Sequence, residues 1–591
     1  MTKLQFFGAL AVAGVLGFCL PEFYVTILNY IGLYGLVALG IVLLTGVIGV
    51  TSFGQAAFVG LSAYLSAVAA MKFAIPPLAC LAICIVVTVA VAAIIGLLTL
   101  SLSGHYLPLG TIAWGLSAYY ALGNIEAFGG HTGLDGIPPL TIGGLRFQTS
   151  REMFGLIWLI TICASAAVSN MLDSRSGRAM RAIKTSRETA ESFGVDTTRL
   201  RLVAFLYAAV LAAISGWLYT FMLRFLNPSP FSLTMGIEYL FMAVVGGAGQ
   251  VWGALLGAGV ITFLKEWLQD ALPRLFGQTG NFEIIVFGAL VIALIQLNDE
   301  DGLSSVIKRA LSNRFFKRSS STMVTGGEGL PKKDRSDADG ILLSVRGISK
   351  NFGGLKALND VAFDVEARRI VGVIGPNGAG KSTLFNCVTG LTQVDAGSIW
   401  IGDVKTSDGK ARDVVKLGLA RTFQHVQLID RLTVLENVML GGHTRSSRGS
   451  FAAALKLRTR EEDLLRQDAF RQLERVGLAH LADVPALSLA LGQQRLVEIA
   501  RALCADPALL LLDEPAAGLR FAEKKELAEL LKSLRSEGLS VLIVEHDMEF
   551  VMKLCDRLVV MNFGEKLMEG TPAEVRADQR VLEAYLGKDA A

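Results

Sequence analysis

The sequence predicts an all-α, polytopic membrane domain followed by an α/β domain built around a phosphate-binding loop. Two observations lead there. The 591 residues are 52% hydrophobic and only 18% charged, and the mean hydropathy of +0.50 hides a division. Up to about Leu297 the chain is a series of apolar runs with short loops, and beyond Gly340 its composition is that of a globular domain. The second observation is a glycine-rich loop in the later half, set between an apolar strand pattern and a helix pattern. The expected organisation is a transmembrane domain over residues 1–298, a cytoplasmic linker over 299–340 and a nucleotide-binding domain over 341–591.

A helical bilayer span needs roughly 20 mostly apolar residues. Nine runs qualify: Leu4–Leu20, Tyr24–Val50, Gly54–Met71, Pro76–Leu102, Leu107–Leu122, Phe154–Leu172, Leu200–Phe225, a long stretch from Met235 to Leu264, and Phe282–Leu297. Leu4–Leu20 follows Lys3 but no small-x-small cleavage site follows it, so it reads as an uncleaved span. The loop Asp173–Arg201 carries Arg175, Arg178, Arg181, Lys184, Arg187, Arg199 and Arg201, which assigns it to the cytoplasm. Lys308, Arg309, Arg314, Lys317 and Arg318 do the same for the stretch after Leu297. An even number of crossings must separate the two, and three unbroken spans from Leu200 onward would violate that. Gly246-Gly247-Ala248-Gly249 therefore marks either a discontinuous, doubled-back segment or a plain glycine-packed helix with another boundary misplaced.

Within the basic loop, Gly177–Ile183, Arg187–Ala190 and Gly194 read as a short amphipathic helix, a second helical stretch and a stop. Glu238, at the edge of an apolar run, is either a functional charge or a side chain snorkelling to the interface. Glu126–Ser150 is the natural outer loop, open to a docking protein or a plain connector. In the linker, Leu303, Val306, Ile307, Ala310, Leu311 and Phe315 form an apolar stripe suited to a lipid surface, and Ser319–Gly340 has the composition of a flexible tether. The seven cysteines are scattered without metal-ligand spacing and read as small buried hydrophobes in a reducing compartment. The net charge of +3, spread over loops and helices, gives no footprint for nucleic acid.

The chemistry of the second half is legible. Ile370–Ile374 runs into Gly375-Pro376-Asn377-Gly378-Ala379-Gly380-Lys381-Ser382-Thr383. Backbone N–H groups of this loop wrap phosphates, Lys381 neutralises β/γ-phosphate charge, and the Ser382 hydroxyl can coordinate Mg²⁺. Leu509–Leu512 is a second buried strand, ending in Asp513 and Glu514. Asp513 suits the metal's outer shell, and Glu514 is placed to polarise an attacking water. ATP and Mg²⁺ are the expected ligands.

The order phosphate loop, Gln424, Gly492-Gln493, Asp513-Glu514, His546 resembles that of ABC nucleotide-binding domains. The resemblance implies that Gln424 senses Mg²⁺ and contacts the membrane partner, that His546 contacts the γ-phosphate and that Phe352 stacks on adenine. It also implies that Ala490, Gly492 and Gln493 form the signature segment, which meets the nucleotide of an opposed domain. The Glu-x-Ala-x-x-x-Gly spacing from Glu188 resembles the coupling loop of ABC importers. Arg421–His425, Gly492–Arg495, Asp513–Leu519, Glu545–Met548 and Ala584–Gly587 are similar to the ATPase of branched-chain amino-acid importers. Ser52–Phe58, Gly129–Leu134, Ser215–Tyr219 and Gly246–Gly249 are similar to a permease of the same systems. The family then implies a multi-pass protein of the bacterial inner membrane with its ATPase in the cytoplasm. It further implies a second permease and a second ATPase (or a homodimer), and a periplasmic substrate-binding protein. Two departures stand out: Ala490 replaces the usual signature serine, and Arg520 stands where relatives carry Asp or Asn. The alternatives are an ABC exporter acting as a homodimer, whose long cytoplasmic helix extensions the short Asp173–Arg201 loop lacks, and a non-transporting membrane regulator switched by ATP.

Overall fold

The computed structural model describes residues 19–100, 106–276, 340–446, 449–455 and 459–586, with a few isolated positions outside these ranges, Leu330 and Pro331 among them. The predicted spans Leu4–Leu20 and Phe282–Leu297, and the amphipathic stretch after the latter, lie largely outside the described residues. The chain forms two compact units. One holds the apolar first half, and the other holds the second half together with the basic segment Ser174–Thr197.

In the membrane unit, among the described residues, six helices are long and apolar enough to span a bilayer. They are α1 (Glu22–Ile41, continued by a π-helical stretch to Ile48), α2 (Gln55–Phe73), α3 (Pro77–Thr99), α5 (Ser150–Leu172), α8 (Thr197–Leu223) and α10 (Val251–Phe276). Leu107–Leu122 also folds as a helix, α4 (Tyr106–Asn124), and α9 (Leu233–Gly246) is shorter. The long apolar run after Met235 is broken, as the doubled-back reading requires. Gly247 ends α9 at φ 110°, ψ 99°, a conformation that a side chain would strain. Helices α9 and α10 then run antiparallel at backbone contact. A Cβ on Gly246 would sit 1.8 Å from the Gly253 carbonyl oxygen, and one on Gly257 would sit 1.8 Å from that of Met242. With no water to hide backbone groups, small residues are what allow helices to approach this closely.

The stretch Glu126–Ser150 is itself structured. It contains two 3₁₀ turns and a hairpin, β1 (Leu140–Ile142) with β2 (Leu145–Phe147). Paired Leu134 and Leu226 backbones and an Arg224 Nε bond to the Ile137 carbonyl (3.1 Å) tie it to the chain after α8. Five cysteines are buried as expected. Cys19 and Cys163 are exposed, a correction explained for Cys163 by its place on a helix with an apolar outer face.

The second unit contains two sheets. An antiparallel one has the order β4-β3-β6-β7, from β3 (Ile341–Phe352), β4 (Leu355–Glu366), β6 (Ala396–Ile401) and β7 (Val404–Lys405). The other has the order β12-β11-β5-β10-β9-β8 and is parallel except for its edge strand β12 (Glu565–Gly570). Its inner strands β5 (Ile370–Ile374), β9 (Leu509–Asp513) and β10 (Ser540–Val544) are buried at every residue. That is why they read as continuous apolar runs rather than alternating ones. The outer pair is β8 (Leu419–Arg421) and β11 (Arg557–Asn562). A separate helical core surrounds α12 (Val434–Gly441), α13 (Thr459–Arg475) and α14 (Leu491–Cys504). Leu330 belongs to this core, and the Leu330 and Pro331 carbonyls accept hydrogen bonds from Arg445 at 3.3 Å. The expectation of a free tether is corrected at this point: an apolar side chain and two carbonyls pin it.

Candidate active site

The parallel sheet delivers its chemistry at one edge. Register pairs Val544 with both Asp513 and Val373, so β5, β9 and β10 end side by side at their carboxyl ends, the usual ligand-binding edge of such sheets. From β5 the chain enters the phosphate loop, with Gly375, Gly378 and Gly380 all at positive φ. At Gly380, the N-cap of α11 (Lys381–Val388), a Cβ would lie 2.6 Å from the Ala357 carbonyl oxygen. Asn377, Gly378 and Ser382 are exposed, whereas Ala379 is buried and Thr383 is partly buried. Lys381 is buried and donates to the Gly375 (2.7 Å) and Pro376 (3.0 Å) carbonyls. Burial lowers its pKa, opposed by Glu514 and Asp513. The ammonium is thus held inside the loop by acceptors that phosphate oxygens can replace.

The two carboxylates differ. Asp513 is buried, and Arg421 lies 3.5 Å from its Oδ2 while donating to Asn386 (2.9 Å) and Thr389 (2.8 Å). Burial pushes the Asp513 carboxyl above its ordinary range, and Arg421 opposes the shift. Its Oδ1 has no hydrogen-bond partner among the described residues. Glu514 sits at φ 48°, a strained conformation for a non-glycine residue. Its backbone N–H donates to the Val544 carbonyl at 2.9 Å, and its own carbonyl accepts from Arg495 at 3.0 Å. Gln424 Nε2 reaches its Oε2 at 3.2 Å, and His546 Nδ1 lies 3.7 Å from the same oxygen. Five of the predicted residues, Lys381, Gln424, Asp513, Glu514 and His546, therefore meet at this edge.

Sequence reasoning missed Glu545. Its fully buried side chain accepts from the Ala516 (2.7 Å) and His546 (3.2 Å) amides, clamping the turn after Glu514 to the turn that carries His546. Burial raises its pKa. It was legible only as an acid next to a candidate histidine.

Other predicted residues lie elsewhere. Phe352 is half exposed at the end of β3, with the Lys350 ammonium 5.6 Å from its ring centre. Ala490 caps α14, and Gly492 faces Leu519 and Glu523 rather than the phosphate loop of its own domain. The Ala490 amide donates to Gln493 Oε1 at 3.3 Å, but its methyl cannot return the bond a serine would. Arg520 begins α15 (Phe521–Ser536), and its amide donates to Glu523 at 2.7 Å.

The basic segment folds as α6 (Arg175–Thr185) and α7 (Arg187–Ser192), with serine caps at Ser174 and Ser186. Gly194, at φ 81°, lies where a Cβ would meet Thr444 at 2.2 Å, and Asp196 pairs with Arg412 at 2.6 Å. Arg178 pairs with Glu462, and Arg175 Nε bonds His443 at 3.2 Å. Burial, with Arg175 and Arg178 nearby, drives the His443 pKa well below its ordinary value. Phe193 lies against the Arg501 guanidinium, 4.8 Å from ring centre. Arg501 in turn pairs with Glu498 (2.8 Å) and donates to the Gln427 carbonyl (2.8 Å), while the Gln427 amide donates to Glu498 (2.8 Å). A continuous set of contacts thus joins this segment to helix α14 and to the loop three residues beyond Gln424.

Comparison with known proteins supplies the rest. Residues 23–295 match the profile of the branched-chain amino acid transport system permease component. Residues 358–517 match that of ABC transporters, and 565–591 that of branched-chain amino acid ATP-binding cassette transporters. The high-affinity branched-chain amino acid transport ATP-binding protein LivG of Salmonella typhimurium is 43% identical over 252 residues, 42% of this chain and 98% of LivG. The chain belongs to the branched-chain amino-acid ABC transporter family. BraF of Pseudomonas aeruginosa, described by the same function, is 41% identical over 250 residues, 42% of this chain and 98% of BraF. A crystallised nucleotide-free ATP-binding cassette of an ABC transporter is 33% identical with a TM-score of 0.38, covering 42% of this chain and 100% of that one. This family member joins a permease domain and an ABC ATPase in one membrane polypeptide and is part of a multi-component transporter.

Proposed function

We propose that the chain drives import of branched-chain or related amino acids across a bacterial inner membrane by ATP hydrolysis. It would contribute one permease and one ATPase to an assembly completed by a second of each and a periplasmic substrate-binding protein. The observation that carries the reading is that the catalytic edge and the cytoplasmic segment Ser174–Thr197 belong to one compact unit. In this reading Lys381, Ser382, Thr383 and the amides of Gly375–Gly380 hold the ATP phosphates, and Phe352 stacks on the base. Glu514 accepts a proton from the attacking water, oriented by Gln424, and His546 supports the γ-phosphate. The orphaned Oδ1 of Asp513, with Ser382 and Gln424, fits a hydrated Mg²⁺. When bound, that ion spreads the charge developing on the phosphate oxygens. Gly492 lies against Leu519 and Glu523, and Ala490, Gly492 and Gln493 would serve the nucleotide of an opposed ATPase. The curated relatives favour import over the exporter and regulator alternatives.

Glu514→Gln removes the base but keeps the shape. In vesicles containing the whole transporter, ATP binding should persist while hydrolysis and uptake fall by about 10²–10⁴-fold. Unimpaired uptake by that variant would sink the assignment.

A further inference from the structure

The membrane unit holds an ion pair that the nucleotide chemistry does not use. Glu238 on α9 and Lys265 on α10 meet where the two antiparallel helices pass each other, and Lys265 Nζ donates to both carboxylate oxygens, at 2.8 and 2.9 Å. The Glu238 side chain is 11% exposed and that of Lys265 is 32% exposed. The pair resolves the open question about Glu238, which neither snorkels alone nor stands uncompensated. Charges inside membrane helices are costly, and an apolar pair would hold two helices together as well or better. The pair therefore calls for a role beyond packing.

A cavity of about 440 Å³ opens beside it, within the roughly 300–1,000 Å³ range of small-molecule sites. Tyr30, Tyr34 and Tyr219 form its aromatic wall. Tyr30 and Tyr34 stack at 5.6 Å, and Tyr219 lies 6.5 Å from Tyr30. Thr262 also lines the cavity, and its buried Oγ1 has no hydrogen-bond partner among the described residues. The site thus offers the Glu238–Lys265 pair, a second carboxylate on the exposed Glu266, several hydroxyls including the unpartnered one of Thr262, and an aromatic surface.

We propose that this cavity is a binding site within the permease for the transported solute, a zwitterionic α-amino acid with a bulky apolar side chain. The inference rests on the import reading above. The ligand's ammonium takes the place of Lys265 on Glu238, and its carboxylate takes the place of Glu238 on Lys265. This exchange leaves neither protein charge uncompensated in a low-dielectric setting. A carboxylate-only ligand would strand Glu238, and an amine-only ligand would strand Lys265. The side chain then lies against the tyrosines.

The test uses the complete transporter, with its partner subunits and binding protein, reconstituted in vesicles supplied with ATP. Glu238→Gln and Lys265→Met should each lower uptake of labelled phenylalanine and leucine at least about tenfold. The paired change Glu238→Met with Lys265→Met, which a packing role would tolerate, should lower it as much. Uptake by the paired variant within about twofold of the parent overturns the site and leaves the import reading standing. A parent that moves no amino acid overturns both. Independently of variant folding, saturation-transfer NMR on the parent complex without binding protein should show phenylalanine contact that leucine competes away. Equal competition by 3-phenylpropanoate or phenethylamine, which lack one charge each, would also overturn the site.

Discussion

Two ion pairs, Glu498–Arg501 in the ATPase unit and Glu238–Lys265 in the membrane unit, are built differently. In the ATPase unit, Glu498 and Arg501 are essentially inaccessible. Both are bonded a second time, to the amide and carbonyl of Gln427, and Arg501 also lies against Phe193. In the membrane unit, Glu238 and Lys265 bond to each other beside a cavity. The first pair is bonded to both backbone groups of Gln427 and so holds that loop. The second has bonds that a visitor can take over. The surroundings of a buried pair, more than its own distance, indicate what it is for.

That contrast can be broken by mutation. Arg501→Met should cost the ATPase unit about 3–5 kcal/mol, because Glu498 is left buried without its cation. Replacing both Glu498 and Arg501 by apolar residues should still cost about 2–5 kcal/mol, since the Gln427 amide and carbonyl then lack partners. The double replacement at Glu238 and Lys265 should change stability by under about 1 kcal/mol while lowering uptake at least about tenfold. Chemical denaturation of the purified transporter variants measures both, and equal stability losses would erase the distinction.

A smaller effect follows from His443, held neutral in the folded unit by burial and the nearby Arg175 and Arg178. Its folded pKa is depressed below the ordinary 6.5 of the unfolded chain, so the unfolded state binds more protons in acid. Stability is therefore full above about pH 6.5 and declines as pH falls below it, by at most about 1.4 kcal/mol per pH unit. His443→Asn should flatten that slope between pH 6.5 and 5.5 in thermal melts. The smallest expected change is Ala490→Ser, which restores a side-chain cap to α14. It should add about 0.5–1 kcal/mol to stability, and a raised ATPase rate in the assembled transporter would show that the missing hydroxyl also limits catalysis.

Much of the candidate site was legible because its chemistry is local in sequence. A glycine pattern followed by Lys381, or an apolar strand followed by Asp513 and Glu514, places backbone and side chain together within a few residues. The basic segment was legible for the same reason, through its arginines and Gly194. Partners brought together by packing were not. Nothing near Glu238 in the chain points to Lys265, one helix later. Arg501 reads as an ordinary helix residue until Phe193 and Gln427 close around it, and Leu330 reads as part of a tether until Arg445 meets its carbonyl.

The sequence by itself thus determined the two-part architecture, the basic loop as a distinct helical segment and the positions of the phosphate loop and acid pair, because hydropathy, charge and phosphate-loop geometry act over short stretches of chain. Only the tertiary structure decided that the run after Met235 doubles back at Gly247, that Glu545 clamps the turn after Glu514 to the turn that carries His546, and that Glu238 meets Lys265 while Arg501 meets Phe193 and Gln427. Those outcomes depend on which distant surfaces come into contact. The controlling quantities there are glycine-scale gaps between helices and the desolvation of charges.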